Sequence, residues 1–284
     1  MTQIQTPEQA KSKKSLNKSL NKKSQEASKA NVFDKRSKKY NALEWVFNEA
    51  FAEQIRRFIK PQPDDTCLDM GSGTGAVSHL LSRHVLRVTS LDASFKMLKE
   101  SRGLLGQSKN VDAVMADGSA TPFPDQTFDL VVCRNSLHHF RDVEKGIKEI
   151  GRLLKAGGRF VLIEPVAPDQ TSKPLWSALF KARDIGRHPD FYFTNDELVE
   201  HVTRRSLFAM KKNESFALSM GLNQWMDTDC LSEAAKKTIF GIIEETSPSS
   251  SSIFSGSARS HLGLGKEGGE WRMDHHWSLV CFQK

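Results

Sequence analysis

The chain holds only four cysteines in 284 residues, at positions 67, 133, 230 and 281, and no two form a C-x-x-C pair. No histidine stands at ligand spacing from any of them, which argues against a structural zinc site; no metal is expected. Cys67 and Cys133 fall inside apolar runs and read as small buried hydrophobes, as suits a reducing compartment. Long apolar runs are also missing, and none approaches the roughly 18 residues of a spanning helix. The N-terminus lacks the apolar core of a secretory signal. These absences lead to the expectation of a cytoplasmic chain with no membrane span. The body has no charge excess either. The first 40 residues carry 11 Lys/Arg against 3 Asp/Glu, leaving 30 against 31 in the remainder. The net charge of +7 therefore belongs to the N-terminal tail, and a near-neutral body argues against a nucleic-acid surface.

Residues 1–30 are mostly Lys, Ser, Asn and Gln, with few apolar residues and no aromatic. Such a segment buries too little surface to offset ordering entropy, so it is read as a disordered basic tail. A transit peptide and weak contact with anionic partners are the other readings of the same composition. From position 31 the character changes. Leu43, Val46, Phe47, Phe51, Ile55, Phe58 and Ile59 recur at helical spacing, and Pro61 and Pro63 end the pattern.

Against these absences stands one concentrated feature. Thr66-Cys67-Leu68-Asp69-Met70 is a short, largely apolar strand candidate, and Gly71, Gly73 and Gly75 alternate with Ser72 and Thr74 behind it. Glycine admits positive φ at little steric cost and lets a ligand lie against bare main chain. A loop of this kind between strand and helix is where doubly wound sheets bind nucleotide-like ligands, with helix N–H groups pointing at the ligand. A purely structural turn is the plainer reading. The G-x-G-x-G spacing is not the G-x-G-x-x-G of dinucleotide binders, and no G-K-[ST] follows to make a P-loop. Arg87 to Asp92 reads as a second strand ending in a carboxylate some 20 residues past the loop, a place suited to accept ribose hydroxyls or to cap the next helix. Val111 to Met115 reads as a third strand, with Asp117 and Gly118 placed to meet an adenine edge. Leu130 to Cys133 reads as a fourth, running into Arg134-Asn135-Ser136-Leu137-His138-His139-Phe140. Either histidine there suits a general base, or packs against the loop. A helix over Asp142 to Leu154 is expected to stop at Lys155-Ala156-Gly157-Gly158, ahead of a fifth strand ending at Glu164-Pro165.

Several strings in this stretch resemble one family. They are D-x-G-x-G-x-G from Asp69, D-x-S-x-x-M-L from Asp92, A-x-P-F-P-D-x-x-F-D from Ala120, L-H-H-F from Leu137 and R-x-L-K-x-G-G from Arg152. Together they resemble class I S-adenosylmethionine-dependent methyltransferases, type 11, the ubiquinone/menaquinone biosynthesis-like group. The usual Pro of the last motif is replaced by Ala156. The resemblance implies an α/β, Rossmann-like, seven-stranded, mostly parallel sheet with helices on both faces and a small helical lid. Residues 31–165 would form the S-adenosylmethionine-binding core, and 166–284 the lid insertion and C-terminal part. It implies cofactor contacts from Tyr40, Asp69, Gly71, Ser72, Gly73, Thr74, Asp92, Ala93, Met97, Asp117, Gly118, Arg134 and Asn135, with His138 and His139 as catalytic candidates. Phe33 and Tyr40 would cover the cofactor or simply cap the core. The partner would be a small-molecule methyl acceptor offering O, N or C, and the chain a monomer or homodimer. No Asx-Pro-Pro-aromatic or Pro-Cys string is present, so the nucleic-acid branches are disfavoured. A cyclase-type enzyme, a non-catalytic cofactor-binding protein and an RNA methyltransferase are the alternatives on the same scaffold. Beyond Glu164 the motifs thin out. A lid segment over 183–193 brings Arg183, Asp184, Arg187, His188 and aromatics together, either to hold an acceptor or to pair among themselves.

Overall fold

The computed structural model describes residues 33–284 except 36, 39, 42, 44, 45, 184–190, 205, 228–230 and 246–255. The tail 1–30, the polar loop expected at 247–252 and most of the segment 183–193 lie outside the described residues. Residues 33–35, 37, 38 and 40 are helical, and helix α1, Glu49–Ile59, is entered through Asn48, whose side chain accepts the Phe51 N–H. It is shorter than the apolar spacing suggested. Leu43 and Val46 are buried ahead of it, in irregular chain.

Next come β1 (Thr66–Met70), α2 (Ala76–Ser82), β2 (Arg87–Asp92), α3 (Phe95–Leu105), β3 (Val111–Met115), β4 (Phe128–Arg134), a 3-10 turn (Leu137–His139), α4 (Val143–Leu153) and β5 (Leu154–Pro165). Then follow α5 (Lys173–Arg183), α6 (Asn195–Thr203), β6 (Ala209–Gly221), α7 (Leu222–Met226), α8 (Glu233–Glu245), α9 (Gly256–His261), β7 (Gly265–Glu267) and β8 (Glu270–Gln283). The sheet order is β3-β2-β1-β4-β5-β8-β6. β1 to β5 are parallel, and β8 is antiparallel to both its neighbours. This is the expected Rossmann-like layout.

The sheet has eight strands rather than seven, because β7 pairs with β8 as a hairpin. Three residues are too few to show alternation. The readable signal was the Gly268-Gly269 turn, both residues at positive φ. The expected glycine stop of α4 is also corrected. Leu154 ends that helix in extended conformation and already pairs with Phe128, so β5 begins there, and Gly157 turns the chain at φ 75° inside the strand.

Strand residues alternate between two cores, as a pleated sheet covered on both faces requires. Cys67, Val88, Leu130, Val161 and Leu279 join α1, α2 and α5 on one face; Leu68, Leu91, Val131, Leu162 and Val280 join α4 and α6 on the other. β8 pairs with β5 only from Trp277 to Gln283, yet with β6 from Arg272 onward. The β6–β8 ribbon therefore runs past the carboxyl end of β5. Among the described residues, no helix is long and apolar enough to cross a membrane.

Candidate functional site

A recess open to solvent lies at the carboxyl edge of β1 and β4. Tyr40, Asp69, Gly71, Ser72, Gly73, Thr74, Arg134 and Asn135 line it, all of them expected at a cofactor site. Val46, Ala76 and Val77 line it as well and were not foreseen, although the last two directly follow Gly75.

The loop itself differs from the expected bare cradle. Gly71, Gly73 and Gly75 do adopt left-handed φ of 72°, 55° and 88°. Their amides, however, are engaged inside the protein. The N–H groups of Gly71 and Ser72 both donate to Leu91 O, Gly75 N–H donates to Ser72 O, and Gly73 N–H donates to the Asp92 carboxylate at 2.8 Å. Helix α2 spans only seven residues. The loop thus offers few free N–H groups to an anion, which disfavours a phosphate ligand. It is still a fitted surface. A Cβ on Gly71 would fall 1.8 Å from Ser136 Oγ, and one on Gly73 would enter the space beside Tyr40.

Charge in the recess is set by Asp69, which is 1% exposed and accepts from Ser78 Oγ at 2.7 Å. Burial pushes its pKa up to about 6, while the Ser78 bond and the nearby Arg134 pull the other way. Beside it, Thr74 is 1% exposed, and its Oγ1 has no hydrogen-bond partner among the described residues. A buried orphan hydroxyl facing a recess is an unfilled requirement for a polar ligand atom or water. On the far wall, the Arg134 guanidinium lies 4.7 Å from the Phe51 ring centroid and 6.0 Å from that of Trp277, and donates to Val46 O. Burial lowers its pKa, and Tyr40 and Asp69 oppose that. Asn135 sits at φ 51°, a left-handed conformation that Asn tolerates, and its amide reaches the Tyr40 hydroxyl at 3.4 Å.

The remaining candidates sit behind or beyond the recess. Asp69, Asp92 and Asp117 follow one another on or just past the neighbouring strands β1, β2 and β3, since Asp69 is in register with Ser90, and Asp92 with Met115. Only Asp69 lines the recess. The two Asp92 oxygens accept from Gly73 N–H and Ser94 N–H, each at 2.8 Å, and burial raises its pKa. Ala93 is exposed and Met97 is buried, its N–H bound by the Ser94 hydroxyl. Asp117 is exposed, and one of its oxygens accepts from both the N–H and hydroxyl of Ser119. Gly118 is packed beneath Phe140, where a Cβ would fall 2.5 Å from the ring.

His138 and His139 do not line the recess. His138 is 1% exposed, with its Nδ1 2.5 Å from Glu164. A carboxylate at Nδ1 orients the ring and favours a basic Nε2, the arrangement a general base uses. His139 is half-buried and lies edge-on to Phe33 at 4.8 Å. The 33–40 segment is held to the site at two further points. The Asp34 carboxylate accepts from Ser94 Oγ at 2.7 Å, and Tyr40 faces Gly73 and Asn135.

Residues 68–162 match the family described as a methyltransferase domain. The chain is 34% identical over 143 residues to the protein named uncharacterized methyltransferase YcgJ of Bacillus subtilis, covering 48% of this chain and 55% of that one. It is 35% identical over 169 residues to the ubiquinone/menaquinone biosynthesis C-methyltransferase UbiE of an Enterobacter species, covering 55% of this chain and 63% of that one. The chain thus spans less than two thirds of the length of either relative. The solved structure of the Bacillus subtilis YcgJ protein superposes with a TM-score of 0.71 at 21% identity, covering 82% of this chain and 97% of that one, a likeness of fold. The glycine loop, the acids at successive strand ends and these matches agree: residues 68–162 are similar to the methyltransferase-domain family.

Proposed function

We propose that the chain transfers a methyl group from S-adenosylmethionine to an O, N or C nucleophile of a small-molecule acceptor. The observation that carries this reading is the character of the recess. Its loop amides are engaged internally, and it holds a buried carboxylate and an orphan hydroxyl instead. That set fits a ligand carrying an ammonium and a sulfonium, and does not fit a pyrophosphate.

In this reading Asp69 and Thr74 hold the amino-acid end of the cofactor, and Asp92 accepts its ribose hydroxyls on the lone pairs left by Gly73 and Ser94. Ala93, Met97, Asp117 and Gly118 frame the adenine. When bound, the cofactor supplies an electrophilic methyl on a positively charged sulfur. The chain's own part is to position the acceptor and to exclude water, which can suffice for such a transfer. Tyr40, Arg134 and Asn135 form the wall nearest the acceptor, and His138 or His139 is suited to accept a proton. Residues 31–165 act as the cofactor core and 166–284 as the lid and acceptor side. The name of the UbiE relative favours a planar, ring-bearing acceptor. The chain works in the cytoplasm, as a monomer or homodimer.

The direct test incubates the full chain with S-adenosylmethionine and a panel of phenols, quinols and amines. Mass spectrometry then follows S-adenosylhomocysteine and methylated product. Product from one chemical class is the expected result. Cofactor turnover with no acceptor methylated, or no cofactor binding by calorimetry, overturns the reading.

Asp69 makes binding depend on pH in a known direction. With its pKa at about 6 rather than 3.8, the folded state holds a proton there that the unfolded state has released. This group's contribution to stability therefore falls as pH rises between those values. A cationic ligand favours the ionised form. Affinity for S-adenosylmethionine is expected to be about tenfold lower at pH 5 than at pH 7, since roughly a tenth of the group is ionised at the lower pH. Asp69→Asn should flatten this profile in calorimetric titrations, and an equally steep profile in that variant would remove Asp69 from the site.

A further inference from the structure

Glu164, the penultimate residue of β5, has none of its surface exposed. A carboxylate withdrawn from water in this way persists only when its oxygens are well satisfied. Three groups that hold it come from a single turn. The N–H groups of Ser136 and Leu137 reach Oε1 at 3.2 Å and 2.9 Å, and Nδ1 of His138 lies 2.5 Å from Oε2. Three consecutive residues, 26 to 28 positions away in sequence, thus converge on one side chain.

This turn shapes the recess. Ser136 lies over Gly71 so closely that a Cβ there would fall 1.8 Å from its hydroxyl. Just before it, Asn135 holds its left-handed φ of 51° and donates its own N–H to Ile163 O in β5. Arg134 and Asn135 line the recess; Glu164 does not. A physical path therefore runs from the end of β5, through the backbone of 136–138 and the Ser136 side chain, to the glycine loop. The carboxylate form matters. It offers two acceptor oxygens, whereas an amide would turn an NH₂ toward His138 and force that ring into its other tautomer.

Building on the methyl-transfer reading, we infer that Glu164 is a positioning residue. It clamps the turn after β4 so that Ser136 bears on the glycine loop while Arg134 and Asn135 keep their places in the recess wall. It acts on the cofactor without touching it.

The test has two arms on the full-length chain. Amide hydrogen exchange of the 134–140 peptide, without ligand, reads the clamp itself. Calorimetric titration with S-adenosylmethionine reads its consequence. Glu164→Ala is expected to exchange at least tenfold faster in that peptide and to bind at least tenfold more weakly. Glu164→Gln keeps one oxygen for the two N–H groups and should recover to within about threefold of the parent in both arms. His138→Phe keeps the ring volume, removes only the Nδ1 link and should fall between them; it serves should Glu164→Ala fail to fold. Ile59→Ala, a buried truncation at the far end of the sheet, is the control for lowered stability alone. The inference is overturned if the glutamate and histidine variants exchange and bind like the parent, or if Ile59→Ala with a matched melting temperature shows the same losses. A parent chain that binds no S-adenosylmethionine would defeat the methyl-transfer reading, while the exchange arm would still decide whether the clamp exists.

Discussion

Gly71→Ala should weaken S-adenosylmethionine binding by at least tenfold and lower thermal stability as well. Two independent costs meet at this position. The backbone is left-handed at φ 72°, which costs a residue bearing a Cβ roughly 1–2 kcal/mol. The new methyl would also fall 1.8 Å from Ser136 Oγ and 2.6 Å from Ser136 Cβ, and overpacking of that kind costs about 1–3 kcal/mol. Relief requires the loop or the turn after β4 to move, and both line the recess. A tenfold loss of affinity corresponds to about 1.4 kcal/mol, well inside that range. The second cost is specific to one neighbour. Ser136→Gly in the same chain removes both clashing atoms and should return part of the lost affinity, leaving the φ penalty behind. Ser136→Ala, which keeps the Cβ, should return less. Calorimetry on the single and double variants checks this, and an absence of rescue would mean that the two side chains do not meet.

Asp92→Ala is expected to weaken the same binding by roughly 5- to 150-fold, the equivalent of about 1–3 kcal/mol for losing charged hydrogen bonds. The structure sharpens this prediction. Both carboxylate oxygens are partnered by backbone N–H groups, one from Gly73 in the loop and one from Ser94 at the start of α3. The substitution therefore removes a ribose acceptor and also the anchor of the loop's central glycine. Asp92→Asn is not conservative here. Its amide would turn an NH₂ group toward one of two N–H donors, so it should lose nearly as much as alanine. Burial already disfavours the ionised Asp92, so removing the charge should cost less in melting temperature than in affinity. Affinity within twofold of the parent in both variants would remove Asp92 from the binding site.

Both predictions concern features that local sequence displayed. A glycine at every second position after a short apolar strand, and an acid closing the next one, are each written in one short stretch. So are the amphipathic faces of α1 and α4 and the capping box of α6, in which Thr194 and Glu197 satisfy each other. These patterns follow from helix and strand periods and from the few backbone conformations that turns allow. They were sufficient for the α/β class, the order of the first five strands and most of the recess lining.

Other features were illegible for a physical reason. Whether a glycine-loop amide is free depends on what the neighbouring strand offers, and Leu91 O takes two of them. That leaves few of the N–H groups expected to point at a ligand, and no residue inside the loop announces it. Nothing local announces what holds His138 either. Its actual partner, Glu164, lies 26 residues away and became a neighbour only when β5 docked beside β4.

By itself, then, the order of residues determined which segments are strands and helices, where the chain turns, and which acids arrive at the sheet's carboxyl edge. All of that is encoded over distances shorter than one element. Tertiary structure alone decided which donors are already engaged, that neither histidine lines the recess, and that Ser136 presses on Gly71. Those outcomes depend on which surfaces meet across the sheet, and a hydrogen bond or steric contact between distant segments exists only once they are packed together.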